Sequence, residues 1–526
     1  MLKTRLLPHI YFSYLFLILG AVFGLLYALQ LIGIGQDLIR ADISRSLHLT
    51  LMLYGFIPLM LALLPFALFD KEGLMTPKGT KHLERFFMLW YIFLVFTMFA
   101  LLSGISRSLP FYDFPYELNG LLAFAGLFYL LAILDIIKSY TVKPQWVKVS
   151  LAAVIISPFA LLLLMNPDYG QVEQMLMGPH GDNTLGMSFA LLAIYYLVIK
   201  LASPKITFVT RWHILWQIPL GFYILSVLYR SFVGSLSYEA EWFFQYLTLL
   251  YIPTLYRWWK DAGLSIHKNI TLFISILAFL FVDIQGNILF VPELRALFHR
   301  NDLVVGHSHI AVGIGLLFLA LAIIEPFIKA SKRRILFLAS MLILMTFVLS
   351  VNGFSQAGFT EVDTMTIWGW RAIFGALFLF GLLFLRSFLD FSKQLSFLRT
   401  LTLVRVYHLI AFASDGMGGL VLLLFGGVLY GLIGQEFSQG YQQIVFGFVF
   451  GIGLIHLMGF ALPCYAHPLA MATVIVRTLT AGGFFALYKA DVLGWIALAI
   501  AAIDLVFVLV YLLYIQKETY ETHTSC

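Results

Sequence analysis

The chain has 526 residues, 61% of them hydrophobic and only 11% charged, with a mean hydropathy of +0.93. A water-soluble domain carries about 25% charged residues, so a soluble protein is excluded. The formal net charge of +6 does not point to nucleic acid, because the basic residues sit in short loops between apolar runs, not in a stripe interleaved with aromatics.

Apolar runs long enough to cross a ~30 Å hydrocarbon core recur along the chain. They predict helices at 11–33, 48–69, 86–106, 119–137, 149–166, 182–201, 212–232 and 241–257. Further helices are predicted at 269–291, 303–327, 335–355, 366–388, 403–433, 441–464, 468–488 and 492–515, sixteen spans in all. The first run is too long for a secretory signal and lacks a small-residue cleavage site, so it reads as a retained span. Cys464 and Cys526 form neither a disulfide framework nor a thiolate metal pattern. No internal repeat, linker or low-complexity stretch interrupts the series, which reads as an all-α polytopic membrane protein.

Charge asymmetry orients it. With Lys3 and Arg5 placed in the cytoplasm, alternate loops carry Lys71, Lys78, Lys81 and Arg85, then Lys138, Lys143 and Lys148, and later Lys329, Lys332, Arg333 and Arg334. The opposite loops hold Asp113, Glu117, Asp168, Glu173, Glu361 and Asp363. The positive-inside rule then puts both termini in the cytoplasm.

In this topology His48, His180, His307 and His309 lie at one depth, at the outer ends of three separate spans. Imidazoles inside a bilayer face a cavity, a partner or a cofactor. Residues i and i+2 on an α-helix differ by about 200° in azimuth, so His307 and His309 point to opposite sides and do not chelate one metal. Each can ligate a separate flat macrocycle, which leaves the helix between two hemes. In the last four spans, His408 and His456 either bracket another heme or hydrogen-bond across helices, and Asp415 with Arg477 reads as a buried salt bridge.

The stretch from Gln285-Gly286 through His299-Arg300-Asn301-Asp302 to Gly306-His307-Ser308-His309 resembles the ninth-to-tenth-span region of heme-copper oxidase subunit I. It is nearest the C-type cytochrome c oxidases and bacterial nitric oxide reductases. Arg45-Ser46-Leu47-His48 resembles the motif that opens that family's second span, and Gly178-Pro179-His180 the start of its sixth. The resemblance implies a twelve-helix bundle over 1–390, followed by about four additional transmembrane helices over 391–526. It implies two hemes, b-type by analogy. His48 and His309 would be axial ligands of the low-spin heme and His307 the proximal ligand of the high-spin heme, with His299 and Asp302 near the propionates.

The implied activity is respiratory: electrons from a cytochrome c-type subunit or quinol reduce O₂ or NO in a bacterial or archaeal cytoplasmic membrane. The pattern departs at the second metal, copper or non-heme iron. The family uses one span-six histidine and a pair at the end of span seven. Here His180 faces a span-seven end with Tyr229 and Arg230, and Gln285 replaces a span-nine glutamate. The departures imply an alternative, a homologue without the second metal that serves electron transfer, gas sensing or assembly.

Overall fold

The computed structural model describes residues 2–107, 113–140, 182–203, 206, 214–234, 236–298, 300–325, 331–383, 402–432, 437–490 and 494–515. Among them every regular element is a helix, and twelve helical stretches are long and apolar enough to cross a membrane. The protein is an all-α, polytopic integral membrane protein.

Its chain divides into two compact units, Met1–Leu389 and Asp390–Cys526. The first contains α1 (Leu2–Leu31), α2 (Ala41–Gly55), α3 (Ile57–Lys71), α4 (Pro77–Leu102), α5 (Asn119–Ile137), α6 (Asp182–Ala202) and α7 (Ile214–Phe232). It continues with α8 (Tyr238–Tyr246), α9 (Tyr251–Asp261), α10 (Ile270–Leu289), α11 (Pro292–Phe298), α12 (Asp302–Ser308), α13 (Leu317–Ile324), α14 (Lys332–Gln356) and α15 (Thr364–Leu383). A π-helical stretch, His309–Leu316, joins α12 to α13 within one continuous span, Asp302–Ile324.

Local signals set the boundaries. Thr76 caps α4 by accepting from the Gly79 N–H at 2.9 Å, with Pro77 preset in its first turn. Asn301 caps α12 in the same way through the Leu303 N–H, at 3.0 Å. A buried cluster including Leu17, Leu47, Leu51, Phe56, Leu94 and Phe318 packs the unit. Across it the Tyr14 hydroxyl donates to the Leu382 carbonyl at 2.8 Å, tying α1 to α15.

Not all sixteen expected spans have the same standing. The run 149–166 lies outside the described residues. Runs 182–201 and 212–232 correspond to the helices Asp182–Ala202 and Ile214–Phe232, within which Leu191–Ala202 and Gln217–Tyr229 are apolar helical stretches among the described residues. Run 241–257 is not one helix: a 3₁₀ turn, Leu247–Leu250, separates α8 from α9. Glu239 and Glu241 at one end, with Arg257, Lys260 and Asp261 at the other, deprive it of an apolar stretch of full length. The remaining twelve correspond to helices at the expected places.

The second unit holds α16 (Leu403–Ala411), α17 (Gly418–Leu432), α18 (Gln439–Ala461), α19 (Ala466–Lys489) and α20 (Trp495–Val510). Another π stretch, Phe412–Met417, links α16 to α17. Four spans result, from Leu403–Gly427 to Trp495–Ile515.

Candidate functional site

His48 of α2 and His309, the first residue of the π stretch, face one another. Their ring centroids are 6.4 Å apart and their planes differ by 24°. The Nδ1 of His48 is 2.8 Å from the Gly20 carbonyl, and the Nδ1 of His309 is 2.8 Å from the Val305 carbonyl. A carbonyl oxygen only accepts, so each Nδ1 carries the hydrogen and each Nε2 keeps a lone pair. An imidazole whose other nitrogen donates to a backbone carbonyl is oriented as metal-bound histidines are.

Spacing agrees with a metal between them. Two metal–imidazole bonds of about 2 Å, plus about 1 Å from each donor nitrogen to its own ring centre, separate the centroids by about 6 Å. Both rings line one cavity, whose other walls include Gly24, Met52, Arg371 and Phe378. Gly24 is required there: a Cβ on it would come 2.5 Å from His48 Nδ1.

Arg371, absent from the sequence reading, is the buried cation of this cavity at 7% exposure. Its guanidinium lies 5.5 Å from the centre of the Tyr27 ring. The signal was an arginine inside the apolar run 366–388, which contains no acidic residue, since an intramembrane charge without an adjacent partner marks a site by default. A cation at the wall, two basic nitrogens across the gap and apolar faces between suit a planar metallo-macrocycle with anionic edges. The residues present fit heme.

On the other side of the same helix His307 Nδ1 lies 3.2 Å from Gln285 Oε1 of α10. The amide oxygen accepts, so the His307 Nε2 is likewise left with a lone pair. His307 and His309 therefore have different partners. Helical geometry changes at His309, where i to i+5 bonding begins, so the regular α-helical azimuth holds only up to Ser308.

Asp302 starts this span and is bonded in place. Its Oδ2 accepts from Asn352 Nδ2 at 2.6 Å and Trp368 Nε1 at 2.9 Å, while its N–H donates to Gln356 Oε1 at 2.9 Å. Near the start of α2, Asp113 is fully buried with Arg45 and Ser46 beside its carboxyl, and its carbonyl accepts from the Arg107 N–H at 2.8 Å. Burial pushes the Asp113 carboxyl above the usual range. The Nε of Arg45 and both terminal nitrogens of Arg107 are buried without a hydrogen-bond acceptor, a donor set open to a further anionic group.

Of the other expected residues, the side chain of Tyr229 alone is described. His180 and His299 lie outside the described residues, as does the side chain of Arg230. Tyr229 is 46% exposed near the end of α7. Among the described residues no group of three or more His, Cys, Asp or Glu is arranged to hold a metal ion.

In the second unit His408 and His456 do not bracket a macrocycle. Their Nδ1 atoms are 2.9 Å apart, in direct hydrogen-bond contact, so the interhelical reading holds. Arg477 bonds both Asp415 and Asp504, which makes the expected pair a triad.

No protein-family model matches the chain, and no curated protein is similar to it in sequence. A solved structure of a heme-copper terminal oxidase dimer, determined by cryo-electron microscopy, is similar at a TM-score of 0.48 with 14% identity, covering 74% of this chain and 84% of that one.

Proposed function

We propose that the chain is a membrane respiratory hemoprotein in which His48 and His309 hold a low-spin heme and His307 a high-spin heme, where O₂ or NO is reduced. The observation that carries it is the His48–His309 pair, with two Nε2 lone pairs facing one cavity and centroids 6.4 Å apart. When bound, a six-coordinate heme supplies electron transfer and a five-coordinate one a vacant iron position for a diatomic.

The chain's own groups do the rest. The Gly20 and Val305 carbonyls fix the tautomers and orient the rings. Gln285 holds the imidazole of His307 by its Nδ1. Met52 and Phe378 give the cavity apolar walls, and the Arg371 cation in the same lining would meet the acidic edge of a bound macrocycle. In this reading His180, with Tyr229 and Arg230, would stand opposite His307 and would be the one imidazole offered to a second metal, copper or iron, and His299 and Asp302 would serve the heme propionates. The hemes are b-type, the donor is a cytochrome c-type subunit or quinol, and the host membrane is bacterial or archaeal, with both termini cytoplasmic.

A second reading keeps the hemes without turnover, for electron transfer, gas sensing or assembly. Gln285 favours it, because an amide on His307 cannot deliver a proton as a carboxylate can. Purified protein distinguishes the two. We expect two hemes per chain by pyridine hemochrome, with His48→Ala or His309→Ala abolishing the low-spin spectrum while His307→Ala removes carbon monoxide binding. A heme-free preparation overturns both readings, whereas carbon monoxide binding without O₂ or NO consumption selects the second.

A further inference from the structure

We propose that the Asp390–Cys526 unit contains a proton-binding site at His456 Nε2, opposite the Asp415 carboxylate. His408 and His456 are both completely buried. The His408 Nε2 lies 2.8 Å from the Ala466 carbonyl, which can only accept, so that nitrogen carries the hydrogen. In the neutral ring the His408 Nδ1 then has a lone pair. It stands 2.9 Å from His456 Nδ1, which must therefore donate. Two hydrogen bonds thus leave the hydrogen of His456 on Nδ1 and its Nε2 bare. That atom is buried, has no hydrogen-bond partner and lies 3.8 Å from Asp415 Oδ2. A lone pair facing a carboxylate across a buried gap is a vacancy for one proton.

Charge balance points the same way. Arg477 bonds Asp415 on one side and Asp504 on the other at 2.5 Å, and is itself 3% exposed. With both rings neutral, one cation faces two anions, so the cluster holds one negative charge in the span where uncompensated charge is costly. A proton moving from hydronium in the adjoining water to His456 Nε2 neutralises it and turns the opposition with Asp415 into an ion pair. No electron moves.

Other polar groups around the site leave this sum unchanged. The Tyr407 ring lies 5.8 Å from that of His456, and beyond it His467 approaches Tyr511. Arg405 is directed to the Phe460 carbonyl at 3.0 Å, and Thr480 donates to Asp504 Oδ2 at 2.8 Å. A glycine makes the seat possible: a Cβ on Gly459 would overlap the His408 ring. Both carboxylates are already engaged by Arg477, which favours a proton over a metal cation.

The test is a pH titration of the full chain, ¹⁵N-labelled at histidine, in lipid nanodiscs. Nitrogen–nitrogen coupling across the shared hydrogen bond identifies the His408–His456 pair among the chain's histidines without a variant. One ring of that pair should begin with Nε2 bare and gain one proton as pH falls. Asp415→Asn should lower its proton affinity at least tenfold, with Asp504→Asn shifting it less in the same direction. Asp415→Glu, which keeps the charge, should retain the uptake if Asp415→Asn fails to fold. The proposal is overturned if the coupling is absent, if Nε2 stays bare wherever the protein remains folded, or if Asp415→Asn leaves the midpoint in place. A midpoint that moves when sodium replaces choline would assign the site to a metal cation instead.

Discussion

Two imidazoles are held by two backbone carbonyls, and a glycine makes room for one of them. At Gly24→Ala the new methyl falls 2.5 Å from His48 Nδ1, inside van der Waals contact, so the ring must leave the Gly20 carbonyl. Overpacking of this kind costs about 1–3 kcal/mol. We expect the low-spin signal to fall and the thermal midpoint to drop, while carbon monoxide binding is retained; an unchanged low-spin spectrum refutes the dependence. Asp113 gives a pH signature. Burial raises its pKa, so its contribution to stability is complete below the ordinary carboxylate range and is lost as pH rises through the raised value. Relative to Asp113→Asn, the wild type should gain about 1.4 kcal/mol on acidification for each unit of that displacement. Parallel stability curves for the two proteins contradict it. The histidines were legible because imidazole is conspicuous in an apolar run. Arg371 was as conspicuous, but the residues that line its cavity come also from α1, α2 and the His309 turn, which no spacing within 366–388 reveals. The orphan nitrogen of His456 was invisible, because a tautomer is set by contacts between helices.

At the scale of the element, hydropathy located the helices and failed where helix geometry changes. A period near 3.6 carries no warning of the π stretch at His309–Leu316, nor of the break that divides 241–257 into α8 and α9. The π stretch has a polar brace. Ser275 of α10 donates to the Gly315 carbonyl at 2.6 Å, and the Tyr195 hydroxyl contacts Ser275 Oγ at 2.8 Å. Ser275→Ala should therefore cost about 0.5–1.5 kcal/mol, the net worth of a hydrogen bond, because the Tyr195 hydroxyl keeps the residue-275 carbonyl as its acceptor at 3.1 Å. Thermal unfolding of the purified variant measures it, and a loss below about 0.5 kcal/mol would mean the brace is dispensable.

At the scale of the molecule, the two units each carry their own buried polar centre: paired imidazoles and Arg371 in Met1–Leu389, and the His408–His456–Asp415–Arg477–Asp504 chain in Asp390–Cys526. Every bond named for one centre is made within its own unit. Sites without shared partners respond independently. We expect His408→Gln and His456→Gln to leave the heme count and the low-spin spectrum unaltered, and a change in either would reveal coupling between the centres.

The π stretch also bears on sequence register. A turn closed by i to i+5 bonds holds one more residue than the α-turn it replaces, so every residue beyond it is rotated by about 100° relative to an uninterrupted α-helix. His307 precedes the stretch and His309 begins it, so a motif written around them keeps its spacing. Past Leu316 an ungapped alignment with a regular helix pairs residues from different faces, setting the buried Leu317, Phe318 and Leu319 against side chains that point elsewhere. A one-residue gap inside 309–316 restores the phase. Histidine motif and span interior thus obey two registers within a single helix.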